Sequence, residues 1–220
     1  MKRPILITLA VVCSLVAVWL IGMATHWLEF YTISSTSNQP TYQPGSIVFA
    51  SSLKKTDRNS VIVFKRPNNS IWIFRCIAKG GDQVEIREGQ VYLNNVLVNE
   101  PNVWNEYSIR KSDLIKIKDI IELNKIPSRK INDSVYAILA TSKQVKESHL
   151  NLQINARPHF EPNKNIYKGF YNSGYNEDNI GPIKVPEDSF FVLGDSRHDA
   201  FDSRFFGFVK AEDVIAIVLN

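Results

Sequence analysis

The sequence predicts a mostly β protein: an N-terminal transmembrane helix, then an antiparallel β core interrupted by a mixed α/β insertion. Three observations lead there. A long uncharged apolar run opens the chain. Short β-branched and aromatic runs, punctuated by turn residues, fill 46–98 and return after Gly181. Between them the composition shifts to Asn, Lys and Tyr, with one stretch of helical period.

The opening run ILITLAVVCSLVAVWLIGMATHWL, residues 5–28, contains no Lys, Arg, Asp or Glu. It exceeds the roughly 20 residues that span a bilayer core. Lys2 and Arg3 precede it and the next Lys or Arg is Lys54, so the positive-inside rule puts the N-terminus in the cytoplasm and residues 30–220 outside. Trp19 and Trp27 suit interfacial anchors. A cleaved signal peptide has an apolar core of only about 7–15 residues ending at a small-residue site, which this run does not match. The expectation is a single-pass protein of the plasma (inner) membrane, with residues 1–28 as cytoplasmic end and anchor.

Past the anchor, residues 29–45 are too rich in Ser, Thr and Pro for a long helix. SIVFA (46–50) has strand character. VIVF (61–64) and IWIFRCIA (71–78) flank the turn signal PNNS and predict a hairpin. Val84/Ile86 and Val91/Leu93 alternate with polar residues, and Asn94-Asn95 turns the chain before VLV. In 112–126 Leu114, Ile117 and Ile121, with Leu123 as a further candidate, fall at helical spacing with Ser112 as a cap, which places a helix in the insertion, residues 99–180. PIKVP, SFFVLGD, FFGFV and VIAIVL then resume the core, which comprises 29–98 and 181–220.

Composition narrows the function. The 220 residues are 44% hydrophobic with 11% aromatics, enough for a folded core. Net charge is +4, with no Lys/Arg run carrying interleaved aromatics, so no nucleic-acid partner is expected; a mild attraction to anionic lipid headgroups is. Cys13 lies in the apolar run and Cys76 in a strand, so no disulfide joins them. His149 and His159 lack metal-ligand spacing and read as surface residues.

Three distant stretches carry the chemistry when taken together: SxSxxPTxxxG at 35–45, FRCIAKGGDQVEIREGQVYLNN at 74–95, and DNIGPIKVPEDSFFVLGDSRHDAFDSRFFGFV at 178–209. Together they resemble the bacterial type I signal peptidases, the membrane-anchored serine peptidases that remove signal peptides from exported preproteins. The resemblance covers the anchor, the serine segment, the β core and the C-terminal motif, and matches the insertion poorly. It implies a Ser/Lys dyad on a β fold at the membrane surface, preprotein signal peptides as substrates, small residues at the cleavage site, and no cofactor. Ser37 falls at the nucleophile, and Ser35 at a serine whose hydroxyl helps hold the oxyanion. Pro40 and Thr41 match; Asn38 stands where many members have methionine.

The base departs from that pattern. The family's lysine, kept neutral by burial, precedes an arginine upstream of a Gly-Asp pair. Arg75 and Gly81-Asp82 fit, but the lysine's position is Phe74, which has no lone pair to accept a proton. The serine that hydrogen-bonds this lysine is replaced by Ala200, and a proline before Gly-Asp by Gly80. Losing both partners avoids the cost of about 1–3 kcal/mol for a buried hydroxyl left unpaired. Among other bases, His198 is the best chemically because imidazole titrates near neutrality; Lys79 and Lys65 rank below it. Arg75, Asp195, Arg197, Asp202 and Arg204 read as an ion-pair network bracing the core, with Asp82 beside it. Ile33 and Tyr42 are expected to line a groove that takes an extended peptide as an added strand. Two readings follow: a peptidase using Ser37, or a non-catalytic relative that holds signal peptides or assists a second peptidase or the export machinery.

Overall fold

The computed structural model describes residues 2–24, 27–123, 125–171 and 174–219. The first helix, α1 (Lys2–Ala24), is apolar all round, and its Arg3–Gly22 window is long and apolar enough to cross a membrane. It ends short of the expected Leu28; Thr25 and His26 lie outside the described residues, as do Asn124, Asn172 and Ser173 in the expected insertion.

The chain then enters a seven-stranded sheet of order β1-β2-β14-β3-β4-β12-β13. Its members are β1 (Glu29–Thr32), β2 (Ile47–Ser51), β3 (Val61–Lys65), β4 (Ile71–Lys79), β12 (Ser189–Leu193), β13 (Val209–Lys210) and β14 (Val214–Val218). The PNNS turn joins β3 to β4 as predicted, with Ile62 opposite Phe74. β1 was not legible: four residues, EFYT, have too little pattern to stand out before a Ser/Thr/Pro stretch. Pairing with β2 makes it a strand, and Phe30 opposite Phe49 and Thr32 opposite Ile47 share one exposed face. Val48, Ala50, Val61 and Val63 on the other face build a buried cluster with Ile33.

The strands of 83–97 leave this sheet. β5 (Gln83–Arg87), β6 (Gln90–Leu93) and β7 (Val96–Leu97) pair with β11 (Ile180–Lys184) as a four-stranded sheet of order β11-β5-β6-β7. The insertion contributes a third sheet, of order β8-β10-β9, from β8 (Trp104–Arg110), β9 (Ser128–Lys130) and β10 (Val135–Thr141). Its predicted helix is split into α2 (Lys111–Lys116) and α3 (Lys118–Leu123). The cap is Arg110 rather than Ser112: Asp113 accepts from Arg110 and Lys116, which pulls the start back onto the end of β8. α4 (Ser142–Glu147) has a capping box between Thr141 and Gln144; α5 (Lys168–Tyr171) is a single turn. FFGFV is not one strand either. Its first residues end α6 (Ser203–Phe206), capped by the Asp202 carboxylate, and Gly207 at φ +84 turns the chain into β13.

Candidate functional site

Ser37 sits in a one-turn 3-10 helix, Thr36–Asn38, just past β1. Three contacts fix that turn. Asn38, buried, donates from Nδ2 to the Ile73 carbonyl at 2.8 Å. The Ser196 N–H donates to the Ser37 carbonyl at 3.0 Å. The Thr36 hydroxyl donates to the Asp199 carboxylate. Ser35 precedes the turn with an exposed side chain that makes no capping hydrogen bond.

The Ser37 hydroxyl donates to the main-chain carbonyl of Asp199 at 3.1 Å. Phe74 approaches the same corner. It is buried, its side chain in an aromatic cluster with Phe64, Trp72 and Phe206 at centroid distances of 6.3, 6.0 and 6.4 Å. Ala200 belongs to that apolar cluster. Gly194 shows how closely these parts meet: a Cβ built there would lie 2.6 Å from the Ser37 carbonyl oxygen and 3.2 Å from the Phe74 ring, and would overlap the Ala200 methyl. Phe74 and Ala200 thus come together next to Ser37.

The charged residues form pairs, not all of them the expected ones. Arg75 holds Asp195 through both nitrogens, at 2.7 and 2.5 Å, and Asp195 also accepts from Thr41 at 2.5 Å. Arg204 is paired twice with Asp202, at 2.8 and 2.9 Å, and Asp202 accepts the Gly194 N–H at 3.1 Å. Arg197 pairs with Glu100 of the insertion instead, while donating to the Gly194 carbonyl at 3.1 Å. Asp82 pairs with Arg58, at 2.9 and 2.5 Å. Burial raises the Asp82 pKa, but Arg58 and the Lys79 N–H outweigh it and hold the carboxyl down at about 2. Glu100, Arg58, Thr36 and Asp199 were not singled out in the sequence. Their partners lie far along the chain, and only the Asp199–Ala200 adjacency pointed toward Ser37.

His198 faces away from this corner. Its Nδ1 accepts from the Glu106 N–H at 3.1 Å, and its Nε2 lies 3.6 Å from the Asp178 carboxylate. Burial lowers its pKa, opposed by the negative charge of Asp178. Lys79 pairs with Asp57 at 2.8 Å, and Lys65 ends β3 exposed.

A groove of about 430 Å3 runs beside Ser37, walled by Thr32–Ser35 on one side and Ser70–Phe74 on the other, with Phe201 at its rim. Ile33 lines it as expected; Tyr42 packs behind it, in the cluster of Ile33 and Ile73. A larger cavity, about 850 Å3, lies between the insertion and the four-stranded sheet and contains none of the expected catalytic residues.

Compared with known proteins, the chain is 27% identical over 212 residues to signal peptidase I of Aquifex aeolicus (strain VF5), which covers 84% of this chain and 72% of that one. It is 22% identical over 192 residues to signal peptidase I V of Bacillus subtilis (strain 168), covering 86% and 82%. Among solved structures, a signal peptidase I from Enterococcus faecalis V583 is 22% identical, with a TM-score of 0.38, over 76% of this chain and 98% of that one. The family described as signal peptidase, peptidase S26, matches residues 5–219, from α1 through the Ser37 turn to β14. With a match of that extent, the chain belongs to the signal peptidase family, peptidase S26.

Proposed function

We propose that this chain is a membrane-anchored serine endopeptidase of the signal peptidase type, removing signal peptides from exported preproteins on the outer side of the plasma membrane. Ser37 attacks the scissile carbonyl, and Ser35 with backbone N–H groups receives the oxyanion. The observation that carries this reading is Ser37 on a braced turn at the wall of an open groove. An extended segment lying there would present a carbonyl to the hydroxyl. The exposed face of Phe30, Ile47 and Phe49, a few residues past the anchor, supports contact with lipid.

A second reading has its own support: a non-catalytic relative that holds signal peptides or assists a partner peptidase. The Ser37 hydroxyl is bonded to a carbonyl, which cannot take its proton, and Phe74 with Ala200 fills the corner where a lysine and its hydroxyl partner would stand. Cleavage of a preprotein with a small-residue site, by the full chain in detergent, separates the two. Cleavage that Ser37→Ala abolishes supports the peptidase. No cleavage by the native chain, with activity in Phe74→Lys/Ala200→Ser, establishes the second.

A further inference from the structure

The larger cleft, between the insertion and the four-stranded sheet, has an open strand edge on one wall. β7 is the last strand of its sheet and, among the described residues, pairs only with β6, Leu97 opposite Tyr92 and Val96 opposite Leu93. The Val98 N–H donates to the Val91 carbonyl at 2.8 Å. By the alternation of an antiparallel pair, the main-chain groups of Leu97 and Asn99 therefore face away from β6. Both residues are exposed and line the cleft. Among the described residues, no main-chain hydrogen bond outside the β6–β7 pairing engages either of them.

An edge of this kind is a template for another chain, and the rest of the cleft suits one. On the facing wall, residues 151–153 run outside any helix or strand. Four exposed amide side chains, Gln90, Asn99, Asn151 and Gln153, line the walls, and none of them makes a hydrogen bond among the described residues. Each offers a donor and an acceptor, the two groups that a peptide main chain presents in alternation. Charge on the walls is nearly balanced. Glu100 is held by Arg197 and Arg157 by Glu177, which leaves Glu88 and Lys146, one of each sign, beside the imidazole of His159. A second copy of this chain would meet β7 along only two residues. The volume, about 850 Å3, is that of a cleft for a single segment and not for a folded domain.

We propose that this cleft is a second polypeptide site. An extended, uncharged segment lies along the outer edge of β7 as an added strand, bonded to the main chain of Leu97 and Asn99 and flanked by the four amides. The site is separate from the groove at Ser37, with which its lining shares no residue. The inference does not depend on whether Ser37 is a working nucleophile.

The test is equilibrium binding of labelled heptapeptides to the full chain in detergent. The probes alternate Val with Ser or Thr, so that the two side-chain faces fix the register. Two further versions carry N-methyl groups on every second residue, in one set or the other. One methylated version should bind about tenfold more weakly, as expected when a main-chain bond is lost, and the other should bind like the parent. Leu97→Pro removes the outward N–H at an edge position, where proline is tolerated, and should weaken the parent peptide about tenfold. Gln153→Trp, at an exposed site on the facing wall, should also weaken it by filling the cleft, in protein whose melting is unchanged. Binding that folded Leu97→Pro or Gln153→Trp protein retains in full would put the peptide elsewhere, the groove at Ser37 included, and overturn the proposal. Equal loss with both methylated versions, or failure of every peptide to bind, would overturn it too.

Discussion

Two regions meet at Gly194, one charged and one apolar. On one side stands a charged scaffold, Arg75 paired with Asp195 and Arg204 paired with Asp202. On the other, Phe74 and Ala200, which the resemblance sets at a lysine and a serine, pack in one buried apolar cluster. A buried ion pair cannot lose one member cheaply, because the remaining charge is stranded in a medium that solvates it poorly. A buried lysine and hydroxyl can both be replaced by packed carbon, provided the change is joint. The comparison teaches that the two sides tolerate change differently: the charged side only pair by pair, the apolar side as packed volume.

The largest expected effect tests the scaffold. Arg204→Ala leaves Asp202, fully buried, without its partner, and should lower unfolding free energy by about 3–5 kcal/mol in urea titration. Next is the seam itself. Gly194→Ala forces a methyl against the Ser37 carbonyl and should cost about 1–3 kcal/mol, while displacing the serine turn in the amide spectrum. Acid provides a third test. The Asp82 pKa is held at about 2, below the ordinary 3.8. Its contribution, about 2 kcal/mol, is therefore present above pH 4 and lost as pH falls toward 2. Asp82→Asn should flatten that part of the pH–stability curve. The last effect concerns the apolar corner. Phe74→Lys alone should destabilise more than Phe74→Lys/Ala200→Ser, with a coupling of about 1 kcal/mol in a double-mutant cycle. Strict additivity would mean that the two positions do not share an environment.

His198 sharpens the same contrast by pH. Burial depresses its pKa below the ordinary 6.5, so the native state favours the neutral ring. Its contribution is complete above pH 6.5 and diminishes as pH falls through that value toward the folded pKa. His198→Gln should remove this slope in melting experiments between pH 7 and 5.

Much of this architecture was legible in the sequence, for reasons that particular residues make clear. α1 was legible because a bilayer demands an unbroken apolar run, and β3–β4 because PNNS separates two runs that only a strand ladder suits. The resemblance set Phe74 and Ala200 beside one another, and both pack against Gly194. The charge partners were not legible. Arg197 could have met Asp195 or Glu100, and Asp82 could have met Arg75 or Arg58; nothing local distinguishes them, since tertiary distances decide. The same holds for His198: its ring chemistry suggested a base, but which way the ring points depends on Glu106 in a distant strand. FFGFV failed for a different reason. A strand-like composition yielded to the Asp202 cap and the turn at Gly207.

The passage from α1 to β1 has a consequence for how the groove meets what it binds. Only residues 25–28 separate Ala24 from Glu29, at most about 18 Å of extended chain. The Ser51 hydroxyl donates to the Trp27 carbonyl at 2.7 Å, which ties that passage to the sheet. On the proposed function, a substrate segment held in the same membrane would meet the groove within a thin layer, at an effective concentration set by tether length and not by bulk dilution.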